Sequence, residues 1–199
     1  MKDIVRLGVI LMIYAGIAGA LLGWVYTKTA PKIEEQARME RQQAIKEVMP
    51  PDAKVFEEKT LSDGTVVVVG YADDAKTQVA GYAAEAVGTG FSSDVRTMVG
   101  FLPDFRINAI KVIYQNETPG LGTHTQDEWF QKQFSGKTID ELLVNKDGGK
   151  IQAITGATIS SRAVTNSVRE LAEKLSQSTE LPKTAPQTAA ADSTQTPQN

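Results

Sequence analysis

The stretch Ile154-Thr155-Gly156-Ala157-Thr158-Ile159-Ser160-Ser161 lies where an apolar run ends and a strongly patterned helix begins. Gly156 and Ala157 leave the backbone bare between two threonines. The first N–H groups of a helix have no partner within it, and the helix dipole makes that end positive. Such a helix start can hold a phosphate group. On the residues alone, an ordinary N-cap formed by Thr158 or Ser160 is the alternative.

The residues that follow this stretch predict a helix with one buried face and then a polar C-terminal segment. Val164, Val168, Leu171 and Leu175 form one apolar stripe on a helix that ends near Gln177. Residues 178–199 are mostly Thr, Gln, Ala, Pro and Ser. They cannot bury enough surface to offset chain entropy, so we predict a disordered tail over 178–199.

The overall composition limits the chemistry open to the chain. Its 199 residues suggest one domain of ordinary size with appendages. The net charge of −3 argues against nucleic-acid binding, which normally requires a basic surface. The chain has no cysteine and one histidine, which excludes thiolate metal sites, iron–sulfur clusters and multi-histidine sites. We therefore predict no metal site, and any redox chemistry requires an organic cofactor.

The N-terminal region has the length and composition of a membrane anchor. Leu7 to Tyr26 is apolar and uncharged, and twenty helical residues span about 30 Å of bilayer. A cleaved signal peptide is the alternative, with Ala18-Gly19-Ala20 as its cleavage site, but the apolar run continues beyond that point. We predict a cytoplasmic N-terminus over 1–6 and a single transmembrane anchor in the lipid bilayer over 7–27, with the main domain on the outer face.

A charged segment follows the anchor and predicts a second helix. Thr29-Ala30-Pro31 is suited to a helix start, because proline is tolerated in the first turn. Pro50-Pro51 is suited to its end. The apolar stripe between them is thin, so we predict a solvated juxtamembrane helix over 28–51 that acts as a stalk.

Residues 52–177 predict one α+β domain. Four strand-like runs begin near Thr65, Val79, Arg96 and Ile107, and short turns separate them. Successive strands with short turns imply an antiparallel sheet with one buried face. Helical segments follow at Asp127–Phe134 and, with a capping box, at Thr138–Glu141. The predicted fold class is therefore α+β: one N-terminal transmembrane helix, then a mixed domain of antiparallel sheet and helices.

A second bare stretch of backbone is Glu117-Thr118-Pro119-Gly120-Leu121-Gly122. Proline followed by glycine predicts a type II turn, and glycine-rich backbone lets a flat ligand approach closely. Taken alone, an ordinary tight turn explains the same residues.

Other chemistries fit the sequence poorly. Ser160, Ser161, His124 and Asp127 could form a hydrolase set, but no G-x-S-x-G elbow frames either serine. The acidic residues lack metal-ligand spacing, and no Lys-Ser or Lys-Thr follows Thr155–Thr158 as a nucleotide phosphate loop requires. We predict no catalytic residue of these kinds.

Three motifs that follow the single predicted transmembrane span together resemble those of a known family. They are Thr155-Gly156-Ala157-Thr158, the 117–122 stretch, and Gln133-Phe134-Ser135-Gly136-Lys137. The chain resembles the G subunit of the Rnf electron-transport complex and its relative, the C subunit of the sodium-pumping NADH:quinone reductase. The resemblance covers nearly everything except the C-terminal tail.

This resemblance implies FMN as a covalent cofactor. In the family, the last threonine of the (S/T)GAT motif carries FMN through a phosphoester bond, which falls here on Thr158. A flavin transferase installs the FMN from FAD. The same resemblance implies further cofactor-binding residues, which are Thr155, Gly156, Ala157, Glu117, Thr118, Leu121 and Gly122. The domain over 52–177 is accordingly expected to be an FMN-binding domain.

The implied function is electron relay without independent substrate turnover. The Rnf complex passes electrons between ferredoxin and NAD⁺ and couples this to Na⁺ or H⁺ movement, so the implied partners are other subunits of a membrane complex. A quinone reductase subunit and a flavin-free, membrane-anchored binding module remain alternatives. One position departs from the family: Gln152 stands where an Asp is usual. From side-chain type alone, Tyr82, Phe91, Met98 and Trp129 are candidates to surround the flavin ring.

Overall fold

The computed structural model describes residues 2–182. The chain divides into two compact units, residues 1–43 and residues 44–199, and each is described by itself. Part of the predicted disordered tail, residues 183–199, lies outside the described residues.

The first unit is a single helical segment. Helix α1 runs from Lys2 to Val48. Its most apolar stretch has a mean hydropathy of 2.1, and by length and composition the helix could cross a membrane. Residues 28–48 are helical, as predicted for the juxtamembrane segment, but the separate helix start predicted at Thr29-Ala30-Pro31 was wrong, because Pro31 lies inside α1. A proline inside a helix removes one hydrogen bond, but the stretch behind it is rich in Glu, Gln, Lys, Arg and Ala, which favour helix.

The second unit is built on a five-stranded antiparallel sheet in the order β1-β2-β3-β4-β5. The strands are β1 (Val55–Thr60), β2 (Val66–Tyr71), β3 (Val79–Thr89), β4 (Asp94–Phe101) and β5 (Ile107–Tyr114). The four predicted strands correspond to β2 to β5, and the antiparallel sheet is confirmed. β1 was missed because it is an edge strand with mostly exposed, charged side chains.

Shorter elements and one long helix follow the sheet. They are 3₁₀ turns at Gly122–Gln126, Lys132–Phe134, Ile139–Glu141 and Asn145–Asp147, the short helix α2 (Glu128–Gln131), and helix α3 (Thr158–Gln177). The capping box at Thr138 is confirmed. The four residues of the predicted α3 stripe are all buried.

Both faces of the sheet are covered in its centre, so the expectation of one buried face was wrong. Val67 and Val69 pack in a large cluster with α3, while Val68 between them packs in a second cluster with Ile45 and Val48 at the end of α1. Alternate residues of a strand point to opposite faces, which places the two clusters on opposite sides. The sequence pattern missed the second face because its cover comes from the last turn of a helix predicted to be solvated.

The chain remains ordered beyond α3, so the predicted tail begins too early. Leu181 is 4% exposed within the large cluster, and the Tyr82 hydroxyl donates to the carbonyl of Pro182 at 2.5 Å. The Glu180 carboxylate accepts hydrogen bonds from the N–H and the hydroxyl of Ser62. Residues 178–182 are therefore part of the domain, because the single leucine in a polar segment finds a buried site.

Candidate functional site

The loop that enters α3 is held by Ser161, and Thr158 takes no part in it. The Ser161 hydroxyl accepts from the Ile154 N–H at 2.9 Å and donates to the Ala157 carbonyl at 2.9 Å. The Ala157 N–H donates to the Ile154 carbonyl at 3.0 Å, which closes a tight turn with Gly156 at φ +79°. The loop is therefore fixed by its own backbone and by one serine that points inward.

The first turn of α3 presents unused hydrogen-bonding groups. Among residues 2–182, nothing bonds the Thr158 hydroxyl, and the helix has no side-chain cap. Within the same range, the N–H groups of Thr158, Ile159 and Ser160 have no protein acceptor, and the next N–H, of Ser161, donates to the Ala157 carbonyl. The N-cap alternative is therefore wrong for Thr158, and it is also wrong for Ser160, whose hydroxyl donates to Glu117.

These groups open onto a cleft of about 340 Å³. It lies between the start of α3, the turn that joins β3 to β4, and the 117–122 stretch. The lining residues are Phe91, Glu117, Thr118, Leu121, Gly122, Gly156, Ala157, Thr158, Ile159 and Ser160. Phe91 is 70% exposed, Ile159 50% and Leu121 42%, so apolar side chains stand open to solvent around polar backbone.

Among the residues that the structure describes, Glu117 is the one charged residue that lines this cleft. Its carboxylate accepts hydrogen bonds from the N–H groups of Phe91, Ser92 and Ser93 at 2.9–3.1 Å and from the Ser160 hydroxyl at 2.6 Å. Burial by itself raises the pKa of Glu117, but these hydrogen bonds outweigh it and hold the pKa below its ordinary value. The site therefore contains a fixed negative charge at neutral pH.

The 117–122 stretch forms the predicted turn. The Leu121 N–H donates to the Thr118 carbonyl at 3.1 Å, and Gly120 has φ +74°, as the third residue of a type II turn requires. Gly122 must lack a side chain for a different reason, which is steric. A Cβ there would lie 2.6 Å from the Glu117 Cβ and 2.7 Å from the Ser160 Oγ.

Gly156 gives a prediction that separates backbone strain from crowding of the cleft. Gly156 has a left-handed φ of +79°, which strains any residue with a side chain. An added Cβ would also lie 2.9 Å from the Leu121 Cδ2. We expect Gly156→Ala to lower the free energy of unfolding by about 1–2 kcal/mol through strain and to displace Leu121 from the cleft. Urea unfolding would measure the strain, and the attachment of the FMN that the family resemblance implies would measure the effect on the cleft.

Gly148→Ala is the matched control for this prediction. Gly148 has φ +82°, and no atom of residues 2–182 lies within 4 Å of an added Cβ. We expect the same loss of stability there, with no change in attachment of the implied FMN. Equal attachment in the two variants would contradict a role for Gly156 in shaping the cleft.

Comparison with known proteins identifies the family. Two family models match, the FMN-binding domain over residues 90–173 and the RnfG N-terminal region over residues 1–48. The G subunit of the ion-translocating oxidoreductase complex of Methanosarcina acetivorans is 33% identical over 181 residues, which cover 88% of this chain and 96% of the relative. The chain belongs to the family of G subunits of ion-translocating oxidoreductase complexes.

Other G subunits are similar over comparable lengths. The G subunit of the Na⁺-translocating ferredoxin:NAD⁺ oxidoreductase complex of Acetobacterium woodii is 33% identical, over 84% of this chain and 89% of the relative. The G subunit of the proton-translocating complex of Clostridium ljungdahlii is 32% identical, over 80% of this chain and 84% of the relative. Among solved structures, NqrC of Shewanella oneidensis has a TM-score of 0.45 at 21% identity, over 63% of this chain and 66% of its own. The C subunit of the Na⁺-translocating NADH-quinone reductase of Parabacteroides distasonis has 0.47 at 25%, over 56% and 61%.

Seven of the eight residues predicted for the cofactor site line the cleft. Thr155 does not line the cleft and is exposed to solvent. Of the four candidates for the ring environment, Phe91 alone lines the cleft. Tyr82 is buried against Phe105 in the large cluster, Met98 is buried in the second cluster, and Trp129 lies against Phe130.

The third motif, residues 133–137, supports the run that leads into the cleft. The Gln133 side chain accepts from the Gln152 N–H at 2.7 Å, and Phe134 is fully buried. The Ser135 hydroxyl donates to the Asn108 carbonyl at 2.9 Å. The motif therefore joins β5 to the run that leads into Thr155–Thr158. Gln152, the departure from the family pattern, is exposed.

The hydrolase set is not assembled. The Asp127 carboxylate lies 2.7 Å from His124 Nδ1, but the Ser160 hydroxyl donates to Glu117 and the Ser161 hydroxyl to the Ala157 carbonyl. Sequence reasoning missed the link between Ser160 and Glu117. These residues are 43 positions apart, and no local pattern signals their contact.

Proposed function

We propose that this G subunit relays electrons through FMN bound covalently to Thr158, as a membrane-anchored flavoprotein subunit of an Rnf-type ferredoxin:NAD⁺ oxidoreductase that couples electron flow to ion transport. One observation carries the proposal. The Thr158 hydroxyl stands without a hydrogen-bond partner in residues 2–182, at a helix start that opens on a cleft. A threonine that capped the helix would instead accept a hydrogen bond from a backbone N–H of the first turn.

The residues around Thr158 fit a flavin nucleotide. Three backbone N–H groups that have no acceptor within residues 2–182 and the positive end of α3 suit a phosphate group. Exposed Phe91, Leu121 and Ile159 suit a flat aromatic ring, and the cleft of about 340 Å³ lies in the range of small-molecule sites. The match to an FMN-binding domain over residues 90–173 includes all of these positions.

The attachment reaction is a phosphoryl transfer from FAD. The Thr158 oxygen bonds to the phosphorus of the FMN half, the pyrophosphate bond breaks, and AMP leaves. The hydroxyl proton passes to a base. Nothing in residues 2–182 bonds the Thr158 hydroxyl, so this base belongs to the flavin transferase, because an unassisted hydroxyl is a weak nucleophile.

Bound FMN supplies reversible one- or two-electron chemistry. The chain contributes a covalent tether, which keeps the flavin at a fixed place, and an apolar rim formed by Phe91, Leu121 and Ile159. Relatives from Na⁺- and proton-translocating complexes are 33% and 32% identical to this chain, so similarity favours neither coupling ion.

We place the N-terminus in the cytoplasm, a single span of α1 in the cytoplasmic membrane, and the FMN-binding domain on the outer face. Lys2 and Arg6 ahead of the span support this orientation. Because the chain has no cysteine, single cysteines can report it. We expect a membrane-impermeant maleimide to label Lys146→Cys, an exposed position of the domain, in cells whose outer barrier is permeable to it. Lys2→Cys should be labelled only after lysis, and the reverse pattern would contradict the orientation.

A denaturing gel tests the covalent flavin directly. The full chain, produced together with a flavin transferase, should give a band that fluoresces under ultraviolet light, because a phosphoester bond survives denaturation. The same chain produced without the transferase should give a dark band. A dark band in both cases would instead favour a flavin-free, membrane-anchored binding module.

A further inference from the structure

The Glu117 carboxylate joins two parts of the fold that are distant in sequence. Its donors are three successive N–H groups of the turn between β3 and β4, at Phe91, Ser92 and Ser93, and the hydroxyl of Ser160 in the first turn of α3. Glu117 is 4% exposed, so water contributes little to its solvation. The charge is therefore stabilised by these protein donors.

The neighbouring backbone is shaped to this carboxylate. An added Cβ at Gly90 would lie 2.9 Å from the Glu117 carboxyl carbon, and one at Gly122 would lie 2.9 Å from its Oε2. Real Cβ atoms essentially never come so close to another heavy atom. Two glycines from different segments therefore leave the room that the carboxylate occupies.

The same arrangement leaves Glu117 poorly suited to hold the cofactor itself. An ionised carboxylate offers about four acceptor positions and no donor, and four donors already occupy it. Its negative charge also repels a phosphate. The residues that it connects, in contrast, form two walls of the cleft: Phe91 on one side and Thr158 to Ser160 on the other.

We propose that Glu117 is a positioning residue which, together with Ser160, ties the 91–93 turn to the first turn of α3 and so fixes the width of the cleft at Thr158. We call these two residues the Glu117–Ser160 clamp. The consequence for flavin placement rests on the proposed function. The mechanical link between the two walls does not, and the two are tested separately.

Hydrogen exchange on flavin-free protein tests the link. The full chain is produced without a flavin transferase, and exchange of the N–H groups of residues 91–93 is followed by mass spectrometry. Glu117→Gln should speed their exchange at least about tenfold, because hydrogen bonds to a charged acceptor are lost. Ser160→Ala should also speed it, by about threefold or more, although Ser160 touches none of these N–H groups.

Fluorescence anisotropy of the attached flavin tests placement. In Ser160→Ala and Glu117→Gln chains that carry FMN, the anisotropy should fall and the flavin midpoint potential should shift relative to wild type. The double variant should resemble Glu117→Gln alone, because both changes break one link. A residue that only stabilised the fold would leave both signals unchanged in the fraction that remains folded.

Glu141→Gln is the matched control. Glu141 also accepts hydrogen bonds from a backbone N–H and a hydroxyl, both of Thr138, but it does not line the cleft. It should change neither the exchange at 91–93 nor the anisotropy.

The outcomes separate the two claims. If Ser160→Ala leaves exchange at 91–93 within about twofold of wild type and leaves the flavin signals unchanged, the Glu117–Ser160 clamp is overturned. If Glu117→Gln does not fold, Ser160→Ala still decides the matter. If the wild-type chain carries no FMN, the proposed function fails, and the exchange experiment still confirms or overturns the link.

Discussion

Replacing Thr158 with valine is expected to remove the covalent flavin completely while leaving the fold intact. Valine has nearly the same shape as threonine and lacks the oxygen to which phosphorus would bond. Because the Thr158 hydroxyl makes no hydrogen bond within residues 2–182, its loss should change the free energy of unfolding by less than about 0.5 kcal/mol. A capping threonine would instead cost about 1 kcal/mol. In-gel fluorescence and urea unfolding of the detergent-solubilised chain measure both quantities.

Two further variants make this result specific. Thr155→Val makes the same exchange three positions earlier, at an exposed side chain outside the cleft, and should keep full fluorescence. Thr158→Ser keeps a hydroxyl and should keep at least part of the attachment. A fluorescent Thr158→Val band would show that FMN is attached to another residue, and the proposed attachment to Thr158 would be wrong.

Gly88→Ala is expected to destabilise the domain strongly, although strand propensity alone predicts that it would stabilise the domain. In a strand, alanine is normally favoured over glycine by about 0.5–1 kcal/mol. Here the added Cβ would lie 2.7 Å from the Ala163 carbonyl carbon, in the backbone of α3. Helix backbone cannot rotate aside as a side chain can, so α3 must move off the sheet. We expect a loss of about 3 kcal/mol in the free energy of unfolding, together with reduced flavin attachment, because α3 begins at Thr158.

Gly64→Ala provides the comparison. Gly64 lies in the turn between β1 and β2 with φ +85°, and in the described part of the chain no atom lies within 4 Å of an added Cβ. It should cost only the backbone strain, about 1–2 kcal/mol, and leave attachment normal. A Gly88→Ala chain as stable as wild type would contradict the close contact between β3 and α3 on which the site depends.

Local features of this fold were predictable, whereas features that depend on distant partners were not. The valine run of β2 and the apolar stripe of α3 were recognised because each side-chain period identifies its element. Strand β1 was missed because its place at the edge of the sheet depends on the strand beside it. The break predicted at Pro31 was wrong for a local reason, because the helix-forming residues that follow the proline continue α1. Leu181 looked like part of a polar tail, since no sequence pattern shows the buried site that receives it.

The same distinction holds at the cleft. The turn at Thr118–Leu121 and the bare loop before α3 follow from residues that adjoin in sequence. Phe91 could be named only as one of four aromatic or apolar candidates, because side-chain type does not show which of them reach the cleft. The hydrogen bond of Ser160 to Glu117 joins residues 43 positions apart, and only the folded chain brings them together.

The most direct test of covalent attachment is the mass of the peptide that contains Thr158. The full chain is purified from cells that contain a flavin transferase and digested with trypsin, which cuts after Lys150 and Arg162. Fragmentation of the 151–162 peptide should show an added mass equal to FMN minus water, located on Thr158 and absent from Thr155, Ser160 and Ser161. An unmodified peptide, or the same mass on another residue, would contradict the account.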